Sequence, residues 1–192
     1  SPNYLRYAYK DAGGWHTQTA DGTDHVGLYN SLAVRTSDNT PMISYYDEFN
    51  GALKFAWKDA GGWHSETVDS PDGAAQAGLF SSLAIDSEGY PHISYKTQPD
   101  DDLKHAWKDA GGWHTGFVDY EGFISHTSID IDGYDNPHIS YYGDGSLKYA
   151  WKKPSGSWEK TAIDSDATVG QTSIALDSDN YARISYYDST HT

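Results

Sequence analysis

The chain has 192 residues, carries 13 Lys and Arg against 28 Asp and Glu for a net charge of −15, and contains no cysteine. That length buries a real core in one domain or two small ones. The acidity repels phosphate backbones and anionic membranes, and the missing thiols exclude disulfides, thiolate zinc sites and a cysteine nucleophile.

No run of 18 apolar residues offers a membrane-spanning helix. The sequence opens on Ser1 without a start methionine or a signal peptide, as expected of a processed product or a fragment. Its first motif is Leu5-Arg6-Tyr7-Ala8-Tyr9-Lys10-Asp11-Ala12-Gly13-Gly14-Trp15-His16. Alternating large and small or polar residues predict two strands here, joined by a turn at the paired glycines. Ser31 to Val34 and Ile43-Ser44-Tyr45-Tyr46 predict two more.

The first motif returns at Leu53 to His64 and at Leu103 to His114, and in worn form from Leu147, where Trp151 and Trp158 persist. The second signature returns as Ile93-Ser94-Tyr95, Ile139-Ser140-Tyr141-Tyr142 and Ile184-Ser185-Tyr186-Tyr187. The chain is therefore four copies of one unit, spanning 5–52, 53–102, 103–146 and 147–192, with a period of roughly 48 residues. In the second copy the predicted strands are 53–58, 63–68, 82–85 and 92–95. Apolar residues nowhere keep helical spacing for ten residues.

An all-β chain of four-stranded units at this period predicts a β-propeller with four blades in a single domain or half-propeller. One blade cannot bury both of its faces, so the repeated rings are read as packing between neighbours. Small residues at alternate positions place 31–34, 82–85, 128–131 and 173–176 innermost. The Ile-Ser-Tyr strand follows, then Leu-to-Trp, with Trp-His outermost. On that order the chain starts with two outer strands and finishes with two inner ones. Their pairing would complete one composite blade and close the ring. Three arrangements follow: four blades closed alone, eight blades in a two-chain ring, or a segment of a longer array.

Pro137 to Tyr142 and Leu147 to Trp151 resemble the blades of the highly repetitive β-propellers of secreted prokaryotic proteins, which carry Pro-His-Ile-Ser-Tyr-Tyr and Leu-Lys-Tyr-Ala-Trp runs. The resemblance covers nearly the whole chain. It implies a fold and an extracellular or cell-surface location, and it names no reaction. The Trp-Asp dipeptide and the kelch pattern are absent. The turn Asp86-Ser87-Glu88-Gly89 departs from the sialidase Asp box, so no sialidase catalysis carries over.

His16, His64 and His114 share one repeat position on the outer strand and are expected to cap it or hydrogen-bond there. His92 and His138 have Met42 and Arg183 as counterparts and are expected to pack; His105 replaces the rings Tyr7, Phe55 and Tyr149. His25 and His126 break the repeat and are the better functional candidates. His126 is read on a loop before an inner strand, at the place of Leu28, Leu79 and Gln171.

Asp21, Asp69, Asp119 and Asp164 follow the outer strands and are expected to make turns. Asp130 stands where Ala33, Ala84 and Ala175 stand: an acid there either lines the channel and binds a cation or water, or is simply a solvated departure from the repeat. Asp130, Asp132 and Asp135 are the best-spaced candidates for calcium, without the distal glutamate of a full calcium loop. No other cofactor is implied. Tyr46, Tyr142 and Tyr187 from the tyrosine pairs, with the loop rings Phe123 and Tyr134, are candidates for stacking on sugar.

No nucleophile elbow, phosphate loop or His-Glu-x-x-His motif is present. The expectation is a non-catalytic, secreted or surface propeller that binds a glycan or protein ligand, assembles with itself through its offset terminal strands, or both. Neither a nucleic-acid partner nor membrane insertion is expected. The alternative is a carbohydrate-active enzyme, a glycoside hydrolase or lyase, using acids near the channel such as Asp130 and Asp132.

Overall fold

A computed structural model describes residues 3–73, 75–120, 122–166 and 169–189. These residues form sixteen strands and no helix, and so no helix long and apolar enough to cross a membrane. β1 (Leu5–Asp11) and β2 (Gly14–Asp21) form a two-stranded sheet. The first complete blade is β3 (Val26–Arg35), β4 (Thr40–Asp47), β5 (Ala52–Asp59) and β6 (Gly62–Asp69). The second is β7 (Gln76–Ile85), β8 (Pro91–Gln98), β9 (Leu103–Asp109) and β10 (Gly112–Asp119). The third is β11 (Ser125–Ile131), β12 (Pro137–Gly143), β13 (Ser146–Lys152) and β14 (Trp158–Asp164), and the pair β15 (Val169–Leu176) and β16 (Ala182–Asp188) follows.

Each blade is an antiparallel meander in the predicted order, with the small-residue strand first and the Trp-His strand last. The outer hairpin is set by local chemistry. Gly14, Gly62 and Gly112 take φ between +112° and +119°, which side chains resist. The carboxylates of Asp11, Asp59 and Asp109 accept the N–H of Gly13, Gly61 and Gly111 at 2.7 Å.

Blades join through three layers. On the inside, Ser31, Ser82 and Ser128 Oγ accept the N–H of Leu83, Ile129 and Ile174 in the next blade at 3.1, 3.2 and 3.1 Å. The small inner residues therefore do more than fit a narrow space; they bond one blade to the next. In the middle, Trp63, Trp113 and Trp158 pack edge-on against Tyr7, Phe55 and His105 of the preceding blade. On the outside, Asp21 accepts Tyr45 Oη and Lys54 Nζ at 2.6 Å, and Asp69 accepts Tyr95 Oη and Lys104 Nζ at 2.6 Å. Asp119 accepts Tyr141 Oη at 2.8 Å and Lys160 Nζ at 2.7 Å. These aspartates were expected to make turns; their main partners lie across the blade interface.

Two features differ from expectation. The inner strand of the second blade starts at Gln76 rather than Ser82, because it carries on through register shifts at Ala77/Leu79 and Leu79/Ser82. Among the described residues the composite blade is not formed: β1–β2 and β15–β16 are separate two-stranded sheets. β1–β2 stacks on the first complete blade and β15–β16 on the third, which puts the two half-blades at opposite ends of the stack.

Candidate functional site

Two residues before Ser31, Ser82 and Ser128, the backbone enters the left-handed region. Tyr29 has φ +50°, Phe80 +54° and His126 +48°. Bulky residues there cost roughly 1–3 kcal/mol each and persist only where the surroundings hold them. Part of what holds them is visible: Ser81 Oγ donates to the Tyr29 carbonyl at 2.8 Å, and Thr127 Oγ1 to the Phe80 carbonyl at 3.1 Å. A hydroxyl of the next blade thus satisfies the bulge at Tyr29 and at Phe80.

The bulges gather their rings. Tyr29 lies 4.7 Å from Phe80 and Phe80 4.4 Å from His126, centroid to centroid. Tyr46 adds a ring 6.2 Å from Tyr29. Tyr29, Phe80, His126 and Gln171, one from each inner strand, line a pocket of about 240 Å³. Asn30, Ser81, Thr127 and Thr172 complete the lining with an amide and hydroxyls, and among the described residues no carboxylate belongs to it. Burial, followed by the nearby Lys96 ammonium, holds the His126 pKa below the ordinary range, so its ring is neutral at pH 7.

Of the sequence candidates His126 lines this pocket, while Tyr46, buried, reaches the ring row only through Tyr29 and is not part of the lining. His126 occupies the place of Tyr29 and Phe80 rather than of Leu28 and Leu79, because the bulge shifts the repeat count by one. Tyr142 pairs with Ser125 beside His126, and Phe123 precedes β11 at the same end, largely exposed. Tyr187 is exposed on β16, and none of these three lines the pocket. Tyr29 and Phe80 were missed. Their signal was available: each stands two residues before an aligned serine.

Asp130, Asp132, Tyr134 and Asp135 lie toward the opposite end of β11. Asp130 accepts Leu176 N at 2.7 Å and Ile131 N at 2.9 Å, so its carboxylate ties β11 to β15. Asp132 takes the N–H of Tyr134 and Asn136, and Asp135 takes Ser87 N and Oγ at 2.7 Å. Among the described residues no three His, Asp or Glu side chains converge as a metal site.

Most of the other described histidines bond a nearby aspartate. His16, His64 and His114 bond Asp11, Asp59 and Asp109 at about 3.0 Å and stack on Tyr9, Trp57 and Trp107. His92 and His138 are buried, bonded to Asp86 and Asp132. His25 is exposed, 3.7 Å from both Asp24 and Glu48.

No family model and no curated protein matches the sequence. Solved structures do share the fold. The structure of SapL1 lectin in complex with alpha methyl fucoside matches 96% of this chain and 65% of its own at TM-score 0.68 and 14% identity. AofleA from Arthrobotrys oligospora matches 84% and 50% at 0.58 and 14%. An endo-1,4-beta-xylanase from Bacteroides thetaiotaomicron matches 97% and 86% at 0.51 and 13%. The chain spans about two thirds of the SapL1 lectin and half of AofleA. The fold is β-propeller-like. At these identities the likeness is one of fold.

Proposed function

We propose that the chain is a non-catalytic carbohydrate-binding module and that its ligand seats in the mouth lined by Tyr29, Phe80 and His126. The observation that carries this reading is three aromatic residues held in strained backbone at one repeat position. Packing alone gives no reason to keep bulky side chains where glycine would sit without strain. A row of rings with hydroxyls and amides beside it suits a pyranose: C–H faces stack on rings while the polar groups take sugar hydroxyls. The fold shared with a lectin bound to a fucoside supports a sugar as ligand. The hydrolase reading is weaker, since paired carboxylates must flank the bond to be cut. Among the described residues the pocket has none, and Asp130 and Asp132 sit toward the other end, engaged with backbone N–H groups. Residence outside the cell accords with this function.

The test separates binding from packing. Tyr29→Gly and Phe80→Gly each relieve left-handed strain and remove a ring. Calorimetric titration with a panel of methyl glycosides should show saturable binding by the parent chain. It should show a loss of about tenfold or more in each variant, equivalent to ~1.4 kcal/mol. Melting temperatures should hold or rise. No saturable binding to any glycoside, or variants that melt far lower, would mean that the rings are core.

A further inference from the structure

The two ends of the stack expose matching halves of one interface. Leu32 on β3 is 51% exposed, whereas its repeat equivalents Leu83, Ile129 and Ile174 are 7%, 6% and 7% exposed, each covered by the preceding blade. Trp15 on β2 is 73% exposed. Its equivalents Trp63, Trp113 and Trp158 each meet a ring one blade back, in the series Tyr7, Phe55, His105. The next ring in that series is Tyr149 on β13, which meets no such tryptophan edge among the described residues.

Charge repeats the pattern. Asp21, Asp69 and Asp119 each accept a tyrosine hydroxyl and have the ammonium of Lys54, Lys104 or Lys148 within ion-pair range. Asp164 accepts Tyr186 Oη at 2.9 Å, but among the described residues no lysine or arginine reaches it. The repeat equivalent of those lysines is Arg6, on β1. Its guanidinium bonds only Thr17 Oγ1, at 3.2 Å, among the described residues. The chain's own β1–β2 cannot serve Asp164 as the chain stands, being stacked at the far end.

We infer that a second copy of this chain docks here: its β1–β2 adds to the open edge of β16, its Trp15 covers Tyr149, and its Arg6 reaches Asp164. The β4–β5 ladder, which sets Ser44 opposite Phe55 and Tyr45 opposite Lys54, fixes the register. Ser185 falls opposite Tyr7 of the second copy, and Tyr186 opposite its Arg6. A two-fold ring of two copies uses this head-to-tail junction twice and leaves no edge open.

Mass in solution across a concentration series tests the inference. A dimer of about 42 kDa is expected, twice the 21.2 kDa chain. Arg6→Glu and Asp164→Arg should each weaken association about tenfold or more. An equimolar mixture should restore it, because each mixed junction then holds one cation and one carboxylate. Leu32→Asp should give a folded monomer, since Leu32 is already in water within one chain. The pair Tyr7→Cys and Ser185→Cys in one chain tests the register: oxidation should yield a covalent dimer. A monomer at every concentration, an internal disulfide in the oxidised monomer, or association indifferent to Leu32→Asp would overturn the inference.

Discussion

Histidine 105 shows how one substitution in a repeat changes the chemistry of a core. It is fully buried, edge-on to Trp158, with its Nε2 3.1 Å from Nδ1 of His92. The Asp86 carboxylate accepts from His92 Nε2, so His92 Nδ1 is an acceptor and His105 Nε2–H donates to it. That leaves His105 Nδ1, a buried lone pair with no hydrogen-bond partner among the described residues. In the third blade the same place holds Tyr149, whose hydroxyl donates to His138 Nδ1 with nothing left over. Burial, then the charges of His92 and Lys152, holds the His105 pKa well below its usual value. Unfolded chains bind that proton near pH 6.5, so stability is full above it and falls as pH drops below it. His105→Tyr should raise the melting temperature, by about 1 kcal/mol of relieved desolvation at neutral pH. The gain should grow from pH 7.5 to pH 5 in paired melting curves. An equal gain at both pH values would contradict a neutral buried imidazole. That His105 packs was legible, because rings stand at its place in the other copies. Its orphan nitrogen was not, because it depends on which proton Asp86 fixes through His92.

At the scale of strands, inter-blade contacts rather than hairpins distinguish this stack from loose sheets. Asp21 illustrates the energetics. Burial pushes its pKa up, but Lys54, Tyr45 and Thr23 outweigh this and hold it well below the ordinary carboxylate range. Its contribution is therefore present above about pH 4 and lost as pH falls through the lowered folded value. Asp21→Asn should leave Lys54 without its counter-charge and cost about 3 kcal/mol by urea unfolding, against about 1 for Tyr45→Phe. Gly78→Ala should cost more than a typical turn substitution. Its φ is +104°, and a Cβ there would sit 2.8 Å from Leu53 Cα across the blade interface. Strand number, order and the half-blade offset were legible because the same residues recur at each step. The bulges were not. Pairing by alternation assumes an unbroken period of two, and one left-handed residue resets it. This is why His126 was counted beside Leu28 and Leu79. The inter-strand bond of Asp130 was hidden for a related reason. Asp130 stands among alanines, and nothing in one chain's pattern shows that its partner is Leu176 N on the next strand.

For the whole molecule, the site and the junction make separable demands. The proposed mouth draws Tyr29, Phe80, His126 and Gln171 from four inner strands of a single copy, so on that reading the described lining comes from one copy. In a two-copy ring the two-fold axis coincides with the ring axis, and both mouths then face the same side. Two weak sites on one face of a rigid ring gain avidity for a surface bearing many glycans, by about 10²–10⁴ where the spacing permits both to engage. Leu32→Asp isolates this term, because it lies on the open face of β3 and not among the lining residues. The variant should bind a monovalent methyl glycoside within about threefold of the parent, a difference below ~0.7 kcal/mol. It should leave a densely glycosylated surface at least tenfold faster when dissociation is followed by surface plasmon resonance. If the parent dissociates from that surface no more slowly than the variant, the two mouths do not act together, and pairing of chains serves stability alone. If the variant loses the monovalent sugar as well, the mouth needs the second copy to keep its shape, because the β3 bulge at Tyr29 then depends on the strand that covers it.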